Sequence, residues 1–319
     1  MKRKSLCLLL AAALLHVSGN ARARQTEPVS LAGKWRFSLD EKDAGVREKW
    51  FARSLPEATE LPGSCEQFGF GTPAAEPTVG RLTRVVRYEG KAWYQRDIEI
   101  PQAWRGKRVE LLLERCHWES NVWVDDKPFG MQNSLSAPHV YDLGELSPGR
   151  HVLTICVDNT YKIPVGTWVH ALTEDTQGNW NGIIGRIELR ATDPVWIRDV
   201  QIFGDRMTVE VGNTTGRSVR ATVDGRTVDV PDGGATVELP MTPGREKWNE
   251  FSPVLHEKTV GLKASSYRDA KTVRYGVRKL AVENEQFTVD GVPFLMRGPV
   301  DECVYPLTGY PPMDKEEWA

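Results

Sequence analysis

The sequence predicts a mainly β protein: a jelly-roll-like β-sandwich, then an immunoglobulin-like β-sandwich, then the first β/α unit of a further domain. Three observations carry that prediction. Short runs rich in Val, Ile, Trp and Tyr recur between turn signals, and no long segment keeps a 3.6-residue apolar period. The texture is interrupted at Asp193-Pro194, after which shorter strand-like runs follow. Near the end, an apolar run and a helix-start signal replace the all-β pattern.

In chain order, residues 1–23 read as an export signal. Lys2, Arg3 and Lys4 form a positive start, Leu8 to Val17 an apolar core, and Ala21-Arg22-Ala23 a small-x-small cleavage site. The apolar stretch is far short of the roughly 20 residues that span a bilayer, and no later segment is apolar enough to cross one. The expected localisation is therefore exported, periplasmic or extracellular.

Residues 24–195 form the first predicted sandwich. Ala92–Ile100, Arg108–Leu113, Asn121–Val124, His151–Val157 and Ile187–Arg190 read as strands, broken at Pro101, Arg105-Gly106, Asp125-Asp126, Ser147-Pro148-Gly149 and Asn181-Gly182. Lys42–Ala52 is the one stretch compatible with a short helix. Many short strands imply two packed sheets. Residues 196–276 form the second, with strands at Asp199–Phe203, Met207–Gly212, Ser218–Val223, Ala235–Leu239, Leu255–Ala264 and Ala270–Tyr275. About seven strands in so short a stretch fit an immunoglobulin-like sandwich.

In residues 277–319, Phe294-Leu295-Met296 before Arg297-Gly298 suits a strand covered on both faces. Asp314, with Glu317 three residues on, is an acidic variant of a helix cap. Such a unit needs neighbouring strands, so the sequence predicts the front part of a larger protein.

Charge excludes some partners. A formal net charge of −2 and a pI near 6.3 give no electrostatic footprint for nucleic acid or anionic membrane. No Cys/His group has zinc spacing, and no phosphate-binding glycine loop or cofactor motif occurs, so neither metal nor cofactor is expected. Cys116 and Cys156 lie in strand-like runs compatible with a disulfide, although buried free thiols are the simpler reading of Cys65, Cys116, Cys156 and Cys303. Asn213-Thr214-Thr215 matches a glycosylation acceptor and reads more simply as a polar turn.

Several segments, taken together and in order, resemble glycoside hydrolase family 2, the β-galactosidase/β-glucuronidase group. These are Gly33-Lys34-Trp35-Arg36-Phe37; Trp93-Tyr94-Gln95-Arg96; Gly106-Lys107-Arg108-Val109 through Val122-Trp123-Val124-Asp125-Asp126-Lys127; Pro148-Gly149 with Val157-Asp158-Asn159; and Asn181 to Ile187. Trp248 with Pro253 and Leu255, and Tyr275 to Arg278 with Asp290-Gly291 and Leu295 to Gly298, complete the set. Asp125-Asp126 replaces the family's Asn-Gly turn, Glu250 a Pro and His256 a Tyr. Pro299 to Glu302 also depart from the Asn usual after Arg-Gly.

The resemblance implies a sugar-binding jelly roll, an immunoglobulin-like domain and a (β/α)8 catalytic barrel. It implies retaining hydrolysis of O-glycosidic bonds, with galactosides, glucuronides or mannosides as substrates. Retaining chemistry needs two carboxylates roughly 5–5.5 Å apart, and the resemblance puts both on later barrel strands, so no catalytic residue is expected within this chain. Asn249-Glu250 and Asn284-Glu285 imitate the acid/base dipeptide but read as surface turns.

Candidate substrate contacts are Asp301, Glu302 and Arg297, near the implied barrel mouth. Trp168, Asn179 and Trp180 join them from the aromatic and polar segment Tyr161–Asn181, because aromatic faces and amides suit sugars. That segment equally suits packing against the expected barrel. Trp35, Trp93, Trp118 and Trp123 read as core. The alternative function is a non-catalytic carbohydrate-binding pair of sandwiches; in either case the partner is carbohydrate.

Overall fold

The structure is a computed structural model that describes residues 26–74, 85–163, 166, 169, 172, 178–299, 305 and 308–318. The expected signal at 1–23 and Cys303 lie outside these residues.

The chain opens with β1 (Val29–Ser30), β2 (Gly33–Asp40), β3 (Glu57–Leu61), β4 (Gly63–Ser64), β5 (Thr72–Pro73) and β6 (Val86–Arg87). Longer strands follow: β7 (Lys91–Ile100), β8 (Arg108–His117), β9 (Glu119–Val124), β10 (Lys127–Asn133), β11 (His139–Glu145), β12 (Gly149–Asp158) and β13 (Gly182–Thr192). One sheet runs β10-β9-β12-β7-β2-β3, and the facing one β1-β13-β8-β11 with β4 also on β13.

Period-2 alternation explains the pairing. Trp35, Phe37, Tyr94, Ile98, Leu153 and Ile155 point inward from the first sheet, and Val109, Leu111, Leu113, Ile187 and Leu189 from the second, into one core. Arg96 donates to the Leu31 and Ala32 carbonyls at 2.6 and 2.9 Å, and the Trp35 indole donates to Leu31 O at 2.9 Å. These bonds pin the chain's entry to the sandwich.

The outer face of the six-stranded sheet carries a second apolar cluster, in which Trp93, Trp123 and Cys156 pack with Leu55, Trp50 and Phe51. Trp93 and Trp123 stack at 5.1 Å, and Phe51 lies on Trp123 at 5.2 Å. Asp40 turns the covering segment back over them: its carboxylate accepts the Ala44 and Gly45 amides and the Trp93 indole N–H. A Cβ on Gly45 would lie 2.5 Å from Trp93. The helix expected over Lys42–Ala52 is only a 3₁₀ turn at Trp50–Ala52. Asp40 satisfies the amides that a longer helix would have used.

The four tryptophans expected in the core are buried. Cys65, Cys116 and Cys156 are free and buried. Cys116 faces the inner core and Cys156 the outer cluster, so they do not pair. Burial pushes the Cys116 thiol up to about 12 and the other two well above their ordinary values.

After Asp193-Pro194 come β14 (Val195–Phe203), β15 (Arg206–Asn213), β16 (Val219–Val223), β17 (Arg226–Val230), β18 (Ala235–Pro240), β19 (His256–Ala264) and β20 (Tyr267–Tyr275). They form sheets β14-β15-β18 and β17-β16-β19-β20, which share a separate core that includes Val195, Met207, Val209, Val223, Val260 and Leu262. Trp248 ties the following loop back, its amide donating to Val277 O at 2.9 Å and its ring under Arg278 at 4.3 Å. His256 stacks on Tyr275 and bonds to the Glu246 carbonyl.

The last sheet is antiparallel: β21 (Leu280–Glu283), β22 (Gln286–Val289) and β23 (Val292–Pro293). Asn284 and Glu285 form its two-residue turn with φ of 47° and 64°, as a type I′ hairpin requires. The strand expected at Phe294–Met296 is not formed. Its first residue still reaches β22, the Phe294 amide donating to Phe287 O at 2.7 Å, but Leu295 and Met296 belong to no described strand and are 70% and 65% exposed. Lys315–Trp318 is a 3₁₀ helix whose start Asp314 caps, its carboxylate accepting the Glu316 amide at 3.0 Å.

Candidate functional site

At one end of the first sandwich, the close of β8, the start of β9, the close of β12 and the start of β13 converge. There Asp158, Asn159, Asn179, Asn181, His117 and Glu66 are all at least 95% buried. So many buried polar groups at a sheet end must be mutually satisfied, and the bonds show how.

Asn181 is the hub. Its side-chain amide donates to Gly90 O at 2.9 Å and Val157 O at 3.1 Å, while its Oδ1 accepts the Tyr94 hydroxyl. Its backbone N–H donates to both Glu66 oxygens, at 3.0 and 3.1 Å. The Glu66 carboxylate therefore acts as a structural acceptor. Asn159 donates to Tyr88 O and accepts the Gly90 amide. Trp180 stacks on His117 at 4.5 Å, and its carbonyl bonds His117 Nδ1.

The segment rising from this floor is held at its start as well. Lys162 pairs with Glu119 and Asp158, both at 2.8 Å. The Thr160 amide donates to Asp158, and the Trp118 indole to Thr160 O. Burial works against the Asp158 charge, yet the Lys162 and Thr160 bonds together hold its carboxyl below the ordinary carboxylate range.

Among the described residues expected to contact substrate, Asn179 and Trp180 come together here. They are 2% and 4% exposed. Asn179 donates to Asn159 O at 2.9 Å, while its buried Oδ1 has no hydrogen-bond partner among the described residues. Arg297 is exposed in the extended run after β23. Asp301, Glu302 and Trp168 lie outside the described residues. The imitative dipeptides are turn residues with exposed glutamates: Asn249 caps its own loop through the Phe251 and Ser252 amides, and Asn284-Glu285 forms the hairpin turn.

Glu66, His117 and Lys162 were not singled out by sequence reasoning. Glu66 meets Asn181 across 115 residues, and nothing in its local pattern announces that partner. A neighbouring network, Ser120 to His139 at 2.6 Å and to Tyr141 at 2.7 Å, is at least 98% buried. Burial holds the His139 imidazole below its ordinary pKa despite the Ser134 carbonyl, so this network is neutral packing. The arrangement anchors both ends of the segment between Asn159 and Asn181, and its facing carboxylates, Glu119 and Asp158, are both engaged by Lys162.

Comparison with known proteins places this geometry. Residues 29–191 match the family described as "Glycosyl hydrolases family 2, sugar binding domain". A β-glucuronidase of Paenibacillus borealis is 24% identical over 308 residues, covering 84% of this chain and 48% of its own length. The Homo sapiens β-glucuronidase is 24% identical over 318 residues, covering 84% and 47%. Among solved structures, a β-glucuronidase of an uncultured Clostridium sp. has a TM-score of 0.57 at 19% identity, over 84% of this chain and 47% of that one. The Bacteroides uniformis β-glucuronidase has a TM-score of 0.65 at 16% identity, over 85% and 35%. These structural likenesses show a shared fold. The chain spans about half the length of the curated relatives it matches. With its matched sugar-binding sandwich covering half the sequence, the chain belongs to glycosyl hydrolases family 2.

Proposed function

We propose that this chain is the sandwich-built part of an exported, retaining β-glycosidase that removes terminal β-linked glucuronic acid. The observation that carries the reading is the family 2 match over residues 29–191; the relatives named β-glucuronidases narrow the sugar. In this reading residues 24–195 are a jelly-roll sugar-binding domain and 196–276 an immunoglobulin-like domain. Residues 277–319 lead into a (β/α)8 barrel, which would supply the two carboxylates.

The segment between Asn159 and Asn181 rims the substrate pocket. Its anchors Asn179 and Trp180 belong to the buried floor, and Trp168 is its candidate sugar contact. Arg297, Asp301 and Glu302 meet substrate hydroxyls, where charge-assisted hydrogen bonds fix a sugar's orientation.

The test is hydrolysis of aryl β-glucuronide, β-galactoside and β-mannoside by the 319-residue chain and by the complete product of its gene. The complete product should cleave the glucuronide fastest, while the chain alone should cleave none. Turnover by the chain alone that disappears on replacing one of its own carboxylates would refute the division of labour. Saturable glycan binding with no hydrolysis by either preparation would favour a carbohydrate-binding pair of sandwiches.

A further inference from the structure

Beside Asp193-Pro194 the two sandwiches leave a cleft of about 650 Å³, within the roughly 300–1,000 Å³ typical of small-molecule sites. Seven arginine and lysine side chains line it against five carboxylates, in a chain whose formal net charge is −2. The cationic excess is therefore local, which concentrates anions at that surface.

Most of these cations are already neutralised. Lys107 pairs with Asp193, Arg108 with Glu110 and Asp142, Arg186 with Glu114, Arg190 with Glu188 and Lys271 with Asp199. Arg198 and Arg268 differ. Arg198 donates to Gly233 O at 3.2 Å, and Arg268 to Ser265 O and Tyr267 O at 2.6 and 2.7 Å. Both are exposed, and among the described residues neither guanidinium forms a salt bridge, although the Arg268 backbone N–H donates to the Asp193 carboxylate at 2.9 Å.

Carbonyl bonds orient a guanidinium and leave its charge available. Trp196 adds to this orientation. Its ring, 6% exposed, has the Arg108 guanidinium at 4.2 Å and that of Arg198 at 5.7 Å, which restrains Arg198 at the cleft wall. A wall carrying this many charges does not suit an apolar ligand. A chain of hydroxyls punctuated by carboxylates matches it, because arginine presents a planar fork to a carboxylate.

We infer that this cleft binds an anionic carbohydrate chain, with sugar carboxylates received by Arg198 and Arg268. The proposal rests on the β-glucuronide reading above only in naming uronate as the anion. The site is separate from the loop end of the first sandwich and would hold polymer away from the bond being cut.

The experiment is titration calorimetry of the 319-residue chain with a hexasaccharide of alternating β-glucuronate and N-acetylglucosamine. Its carboxyl-reduced counterpart serves as the neutral comparison. Saturable binding to the acidic hexasaccharide is expected, at least tenfold weaker for the reduced one and weakened again at 0.5 M NaCl. The R198A/R268A variant should lose at least tenfold in affinity. R198K/R268K should retain part of it, and R220A, at an exposed arginine of β16 that does not line the cleft, all of it. Thermal melting checks that each variant is folded. Absence of saturable binding, equal affinity for the reduced sugar, or unchanged affinity in R198A/R268A would overturn the proposal. None of these readouts needs hydrolysis, so failure of glucuronidase activity in the complete gene product would leave this result standing, and the reverse holds too.

Discussion

At the residue scale, charge placement decides the role of a turn. Asp125 has a φ of 56° and occupies the β9–β10 turn, where an Asn would meet the backbone requirement equally well. The acid adds a clamp. Its carboxylate accepts the Val152 amide and His151 Nδ1, both at 2.9 Å, while His151 Nε2 faces Ser147 O at 2.8 Å. Both ring nitrogens thus meet acceptors, an arrangement suited to the doubly protonated imidazolium. Burial opposes that charge, but the Asp125 and Ser147 bonds, with Glu99 nearby, outweigh it and raise the His151 pKa. A histidine whose folded pKa is raised adds stability below its unfolded pKa of about 6.5. That stability is lost as pH rises through the folded value. H151Q should therefore narrow the gap in melting temperature between pH 5.5 and pH 8.5. With Asp125 half exposed, the effect should be under about 1 kcal/mol. Equal pH dependence in wild type and H151Q, measured by calorimetry, would remove this pair from the stability of the turn.

At the scale of elements, glycine decides whether two strands meet. Gly182 opens β13 and pairs with Ser64 of β4. A Cβ there would lie 2.2 Å from Gly63 O and 2.7 Å from Ser64 Cα. Backbone is on both sides of the contact, so nothing flexible can give way. The Asn181-Gly182 pair reads as a break in the sequence, yet the strand begins there, because Asn181 is consumed by the buried hub. G182A should separate β4 from β13 and cost about 2–4 kcal/mol in unfolding free energy, as other severe overpacking does. In hydrogen exchange, the Cys65 amide, which donates to Asn181 O at 2.8 Å, should lose protection, while β7 amides such as Ile98 keep theirs. Retained protection at Cys65 would show that the strands tolerate the extra carbon.

For the whole molecule, what was legible in the sequence follows from which forces are local. Strands with one buried face announced themselves: the run at Ala92–Ile100 is β7, and His151–Val157 lies inside β12. Arg226–Val230 was missed because Arg226, Thr227 and Asp229 hide its alternation, although Val230 is fully buried. Phe294–Met296 misled because apolarity signals a strand only where a partner strand exists. Asn179 and Trp180 stood out by composition, which does not distinguish an amide facing a ligand from one flooring a loop.

Least legible is the joint between the sandwiches, which depends on contacts between distant residues. Asp193 accepts Lys107 Nζ at 2.7 Å from the first sandwich and the Arg268 amide at 2.9 Å from the second. One carboxylate therefore fixes both bodies at the junction. D193A leaves a lysine and a backbone N–H without their acceptor, and should lower stability by about 1–2 kcal/mol. The diagnostic readout is local. Exchange at the Arg268 amide should quicken at least tenfold, while Lys271 and Val273, farther along β20 and facing β19, stay protected. If Arg268 exchanges as slowly in D193A as in the wild type, the joint is held by the stacking of Arg108 on Trp196 instead.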